Sequence, residues 1–193
     1  RYGTVTGVQT CALPILRSTS YAAQISSTAT GGNWNATTTW TGGVVPTSAD
    51  TVTITTGATV TVNVTNAACT DLRLGTGSGT ATLTFATTGS PVLTVSGPVT
   101  IGNSTNANRV GAITFTSGSR LNAGSLTLGT TGAQASTLTM TSGSYLKVSG
   151  TLSTGSTGAT WTPGTGTVEL SATNTLPATL FTSFYNQIGR AHV

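Results

Sequence analysis

The side chains able to carry acid/base or metal chemistry are few and far apart. Asp50, Asp71 and Glu169 are the three carboxylates, His192 is the one histidine, and Cys11 and Cys69 are the two thiols. Acid/base catalysis needs donor and acceptor groups held within reach of one substrate bond, and a hard cation needs several oxygen ligands converging on it. Only Asp50 and Asp71 are near enough in sequence to fall one coil apart in a repetitive fold. No catalytic residue, metal ligand or cofactor is assigned on this inventory, and the chain is not expected to be an enzyme. Asp50, behind Pro46-Thr47-Ser48-Ala49, is expected to accept hydrogen bonds from loop amides, as Asp does in turns. Asp71 and Arg73 are two apart, so they share a strand face and form a weak surface pair. Cys69 reads as a small buried apolar residue. Gly31-Gly32 and Gly42-Gly43 have neither a following Lys nor a helix, which excludes a phosphate loop. Asn35, Asn63 and Asn103 each open a glycosylation sequon, a match expected by chance in a Thr-rich chain.

The charge pattern narrows the partners. Only 5% of 193 residues are charged and the formal net charge is +4. Between residues 16 and 186, Arg17, Arg73, Arg109, Arg120 and Lys147 stand against Asp50, Asp71 and Glu169, so 5 − 3 = +2. Scattered cations do not make the basic stripe that nucleic-acid binding requires. No run approaches the roughly 18–20 apolar residues of a membrane span, so neither nucleic acid nor membrane insertion is expected.

The elements that must position any site are strands. Thr and Val favour strands and Gly and Ser punctuate turns, which makes the chain all-β. Thr51 to Thr55, Thr59 to Val64, Thr82 to Phe85 and Thr137 to Thr141 alternate apolar and hydroxyl residues with period two, the mark of half-buried strands. These strands recur in one frame, x-L-T-F-T-S-G-S-x-L-x-V-S-G-x-L-T-L-G. Leu83, Ile113 and Leu138 correspond, as do Phe85, Phe115 and Met140, then Leu93, Leu121 and Leu146; the steps are 113 − 83 = 30 and 138 − 113 = 25 residues. Val52 to Val62 reads as an earlier, degenerate copy. Such a unit buries little alone and becomes stable by stacking. The expected fold is a right-handed parallel β-helix, a β-solenoid with about 25-residue coils; the alternative is a β-sandwich array.

Inward Leu and Phe leave their alternating neighbours outside. That stacks Thr82, Ala112 and Thr137; Thr84, Thr114 and Thr139; and Ala86, Thr116 and Thr141 into a Thr-rich lattice, a candidate ligand or ice face. Two readings of it stand side by side. Either Thr is simply the favoured outward residue of a soluble strand, with hydroxyl ladders that satisfy one another, or the hydroxyls form a binding face that resembles the T-x-T faces of ice-binding β-solenoids. Trp34 and Trp40, beside Gly42-Gly43 and Pro46, are read first as a cap over the open core and second as platforms for sugar rings. Trp161 is expected to be a packing residue at the far end.

Longer-range likenesses set the remaining expectations. GNWNATTTWTGGVVPTSADTVTITTGATVTV resembles the entry segment of β-helical repeat regions in large Bacteroidetes-type secreted and cell-surface proteins, and is similar to the start of the G8 domain. GTVELSATNTLPATLFTSFYNQ is similar to the terminal rungs of the same bacterial regions. The resemblance implies export and an extracellular or cell-surface setting, with glycans or other surface proteins as partners. Both chain ends resemble translated DNA-sequencing adapter, VTGVQTCALPI at Val5 to Ile15 and IGRAHV at Ile188 to Val193. The expected organisation is therefore adapter-derived sequence at 1–15 and 187–193, an entry or capping segment at 16–50, and solenoid repeats at 51–186. The functional expectation is a non-catalytic structural or adhesive segment of a large exported bacterial surface protein. Its alternatives are an ice-binding Thr face, a carbohydrate-binding module, and the inert flank of a β-helical polysaccharide-processing enzyme.

Overall fold

The computed structural model describes residues 22–102 and 108–192; the adapter-like segment 1–15 with Cys11, Arg17 and the Asn103 sequon lie outside the described residues. The strands follow the chain coil by coil. The first are β1 (Gln24–Ser26), β2 (Gly31–Asn33), β3 (Thr51–Ile54), β4 (Thr59–Val62), β5 (Ala67–Cys69) and β6 (Asp71–Leu74). Then come β7 (Gly79–Phe85), β8 (Val92–Ile101), β9 (Arg109–Thr114) and β10 (Arg120–Leu128). The last are β11 (Thr137–Thr139), β12 (Tyr145–Val148), β13 (Leu152–Ser153), β14 (Thr160–Thr162), β15 (Thr167–Thr175) and β16 (Asn186–His192).

Two parallel sheets account for every one of these strands. One runs β14-β11-β9-β7-β4-β2; the other follows β1-β3-β6-β8-β10-β12-β15-β16, with β5 and β13 beside β8 and β10. Because the chain passes back and forth between the two sheets and each strand pairs in parallel with its counterpart one coil away, the fold is a β-solenoid. A sandwich array does not survive this pairing, since sandwich sheets are antiparallel and the only antiparallel contact among the described residues is an isolated bridge between Ser27 and Trp40.

The larger sheet turns a corner, which gives the central coils three short strand segments and a three-walled section. In β8 and β10 the two segments run on as one strand; in the coils on either side they separate into β5 and β6, and into β12 and β13. The corner falls at Gly97, Gly124 and Gly150. The Gly150 amide donates to the Gly124 carbonyl at 2.6 Å and the Gly97 amide to that of Thr70 at 2.7 Å. A Cβ on Gly124 would lie 2.3 Å from the Ser96 carbonyl oxygen, so backbones meet here at a distance that only glycine permits.

The core is a set of ladders in the register read from the repeat. Leu83 pairs with Ile113 and Ile113 with Leu138; Leu93, Leu121 and Leu146 stack in order. Phe85 and Phe115 stack with centroids 5.0 Å apart, and Met140 is buried beside them in the chain's next coil. Val60 pairs with Leu83, which places the degenerate copy in the same column. The pairing also extends beyond residues 51–186, with β1 and β2 before it and β16 after it.

Both ends carry aromatic clusters. Trp34 and Trp40 meet edge to face at 5.0 Å, and the Trp40 indole donates to the Trp34 carbonyl at 2.8 Å. At the far end Trp161 packs on Phe181 and Phe184 at 5.6 and 5.7 Å and donates to the Ser183 carbonyl.

Candidate functional site

Two outer walls of the solenoid carry organised side chains, and they differ in chemistry. The first is the outer face of the smaller sheet. Its register stacks Thr59, Thr82, Ala112, Thr137 and Thr160 in one column and Thr61, Thr84, Thr114, Thr139 and Thr162 in the next. Rungs rise about 4.8 Å and alternate residues along a strand lie roughly 6.6 Å apart, so the hydroxyls form a two-column lattice five rungs long. Its nine Thr hydroxyls make no hydrogen bond to any of the described residues. Hydroxyl-to-hydroxyl ladders are therefore not formed among these nine residues, which stand half-buried to exposed on the outer face, as outward Thr does on a soluble strand.

The lattice is longer than the repeat suggested and narrower. Thr59, Thr61, Thr160 and Thr162 join Thr82, Thr84, Thr114, Thr137 and Thr139. Thr116 and Thr141 leave it. Each sits just past the strand, at the head of a Thr-Ser-Gly-Ser turn, and its hydroxyl donates to the preceding coil: Thr116 to the Ala86 carbonyl at 2.8 Å, Thr141 to that of Phe115 at 3.3 Å. Ser119 and Ser144 close the turns, each donating to the Thr carbonyl and accepting from the Thr amide. A turn residue with a bonded hydroxyl no longer belongs to a flat, open face.

The sugar-platform reading of Trp34 and Trp40 is corrected by burial. The two residues are 1% and 2% exposed, and a ring that stacks on a sugar must offer an open face. The register explains why: Gly31 to Asn33 pair with Thr59 to Thr61, so Trp34 follows in the inward column of Val62.

The second wall is the outer face of β8, β10, β12 and β15, where sequence reading found scattered charges. Thr94 stands opposite Asn122, Asn122 opposite Lys147, and Lys147 opposite Glu169; the neighbouring column pairs Arg120 with Tyr145. The Arg120 guanidinium lies over the Tyr145 ring, 4.1 Å from its centroid, and its Nε donates to Asn122 Oδ1 at 2.8 Å. Asn122 in turn donates to Thr94 Oγ1 at 3.2 Å. Lys147 and Glu169 form an ion pair at 2.7 Å, and the Tyr145 hydroxyl donates to Glu169 Oε2. Glu169 is held below the usual carboxylate range, first by Lys147 and then by Tyr145. That same bond to Glu169 leads the causes that push the Tyr145 hydroxyl up. An open groove of about 360 Å³ lies against this column, lined by Thr94, Ser96, Arg120, Asn122, Lys147 and Ser149 among others.

Asp50, Asp71 and Cys69 are held in contacts of the fold itself. Asp50 accepts from the Ala23 amide at 2.9 Å, the Thr47 amide at 2.8 Å and the Thr47 hydroxyl at 2.7 Å, which ties the loop to the first coil. Burial alone would raise its pKa, but these bonds outweigh it and leave Asp50 below the ordinary value. Asp71 pairs with Arg73 at 3.9 Å, and the register sets Asp71 opposite Thr51 rather than Asp50. Cys69 is buried in the core, and its pKa is pushed up to about 12 by that burial and by the charges of Asp71 and Asp50. Among the described residues no group of three His, Cys, Asp or Glu side chains converges on one point, and no helix is long and apolar enough to cross a membrane.

The sequence is matched by no family model, no curated protein and no solved structure.

Proposed function

We propose that this chain is a non-catalytic structural and adhesive β-solenoid segment of a large exported bacterial surface protein, placed at the cell surface or outside the cell. The observation that carries the reading is the unbroken parallel register of the smaller sheet from β2 to β14. Each rung is held by its neighbours, so the segment resists bending and unfolding as a stack. Low charge supports it further, because few Lys or Arg side chains stand exposed to proteases on an extracellular rod. In this reading the walls present repetitive polar surfaces to glycans or to other surface proteins. The test is bead adhesion: beads coated with the chain are washed over bacterial cells and immobilised glycans beside beads coated with an unrelated β-protein. Retention above that control supports the reading, and equal retention refutes its adhesive half.

The unpartnered Thr lattice favours a second reading, an ice-binding face. Hydroxyls and methyls repeated in two directions, with no charge among them, order water without holding it by ionic bonds. Thermal hysteresis and inhibition of ice recrystallisation by the recombinant chain test it. Thr139→Tyr, which puts a bulky ring in the middle of the lattice, is expected to abolish both activities; a chain with neither activity, or a variant that keeps them, removes this reading.

A further inference from the structure

We propose that the groove on the β8-β10-β12 wall is a binding site for a carboxylate-bearing sugar, with the Arg120 guanidinium as its anchor. The inference goes beyond the adhesive reading by naming a ligand class and a place. Three observations carry it.

The first is an unspent cation. Lys147 is neutralised by Glu169 and Arg73 lies beside Asp71, whereas Arg120 has no carboxylate partner among the described residues. Its Nε is engaged by Asn122 and the guanidinium also interacts with Tyr145; a guanidinium carries several further N–H donors, which remain for a ligand. The second is preorganisation. Stacking on Tyr145 from one side and bonding to Asn122 from another fix the guanidinium plane before any ligand arrives, so less side-chain entropy is lost on binding. A planar fork held in this way suits the two oxygens of a carboxylate.

The third is the lining. Beside Arg120 the groove offers the amide of Asn122 and the hydroxyls of Thr94, Ser96 and Ser149, groups that match ring hydroxyls. At about 360 Å³ it lies toward the lower end of the range for small-molecule sites. One free positive charge answers one carboxylate, whereas a phosphate or sulfate cluster would call for several cations. Thr94, Asn122 and Lys147 repeat at the rung spacing of roughly 4.8 Å, so an extended acidic glycan has a row of polar contacts along the solenoid axis.

The test is calorimetric titration of the whole chain with trigalacturonate, the neutral trisaccharide maltotriose and a short poly-aspartate peptide. Saturable binding of trigalacturonate alone is expected. Arg120→Gln, with its fold checked by circular dichroism, is expected to weaken binding about tenfold or more, the effect of losing one charged hydrogen-bonding partner. Arg73→Gln removes the same charge from the other segment of the larger sheet and is expected to leave affinity unchanged. Glu169→Gln frees Lys147 and is expected to raise affinity severalfold. Equal binding of maltotriose or poly-aspartate, an Arg120→Gln variant that binds like the parent, or no trigalacturonate binding overturns the proposal. If beads still adhere while trigalacturonate is ignored, the adhesive reading stands without this site; if trigalacturonate binds and beads do not adhere, the site stands without the adhesive reading.

Discussion

Replacing Gly124 by Ala tests whether the corner of the solenoid is closed by backbone contact. The added Cβ would sit 2.3 Å from the Ser96 carbonyl oxygen and 2.7 Å from that of Gly97, while real Cβ atoms essentially never approach within 3.0 Å. The β10 corner must therefore retreat from β8 by at least 3.0 − 2.3 = 0.7 Å. Ladder bonds of about 2.9 Å would stretch to roughly 3.6 Å, beyond a useful hydrogen bond. Two such bonds at about 1 kcal/mol each, with about 1–2 kcal/mol of overpacking strain, give a loss of roughly 3–4 kcal/mol. At a urea slope of about 2 kcal/mol per molar, the midpoint falls by roughly 1.5–2 M. The assay is urea unfolding followed by circular dichroism, with Ser125→Ala as the neighbouring control, where no corner contact is at stake. A Gly124→Ala midpoint within about 0.3 M of the control would refute the reasoning, because it would mean that the coils part at this corner at no cost.

Other consequences follow from the core and the buried polar groups. Phe115→Ala removes a side chain 1% exposed and stacked on Phe85; unfolding free energy should drop by about 3–5 kcal/mol, and a drop below about 1.5 kcal/mol would mean that the ladder repacks around the gap. Asp50→Asn should destabilise the chain at neutral pH by about 1–3 kcal/mol, since three donors lose a charged acceptor. The folded pKa of Asp50 is depressed, so its stabilisation is present above the unfolded value of about 3.9 and is lost as pH falls through the folded pKa. The gap between parent and Asp50→Asn in urea midpoints should accordingly close below about pH 4, and a gap independent of pH would contradict the assignment. Cys69, with its pKa near 12, should escape iodoacetamide in the folded chain at mildly alkaline pH and react in urea; peptide mass mapping that finds Cys69 alkylated without urea would place it outside the core.

The interior was legible because inward positions are tied to period two and to the coil length together. Leu83, Ile113 and Leu138 announce one column, and the pairing observed is the one their spacing demands. Parity failed where the chain leaves the strand. Thr116 and Thr141 follow Phe115 and Met140 as if still alternating, yet each opens a turn whose serine hydroxyl captures the Thr backbone. The repeated Thr-Ser-Gly-Ser was the available signal, for Ser and Gly together mark a turn. Trp34 is hidden differently: it occupies an inward position two residues after Gly32, and Gly31-Gly32-Asn33 shows no apolar alternation to reveal the strand.

The ionic cluster is written in the same frame, at outward positions beside the ladder leucines. Arg120 and Tyr145 each precede the ladder residues Leu121 and Leu146, while Asn122 and Lys147 follow them, so the pairs Arg120–Tyr145 and Asn122–Lys147 were implied once the leucines were matched. Glu169 follows Val168 in the next coil, but that coil has Pro163-Gly164-Thr165-Gly166 where the two before it have Thr-Ser-Gly-Ser, which hides the correspondence. The physical reason the cluster exists is that the interior sets register for all walls at once, leaving outward positions free to vary. The coils that present Thr114 and Thr139 on one wall therefore present Arg120 and Tyr145 on another. A surface substitution such as Thr139→Tyr or Arg120→Gln should touch one wall alone, whereas Gly124→Ala, by shifting the coil itself, should weaken the Thr lattice and the Arg120 groove together. That coupling separates two walls built on one stack from two independent patches.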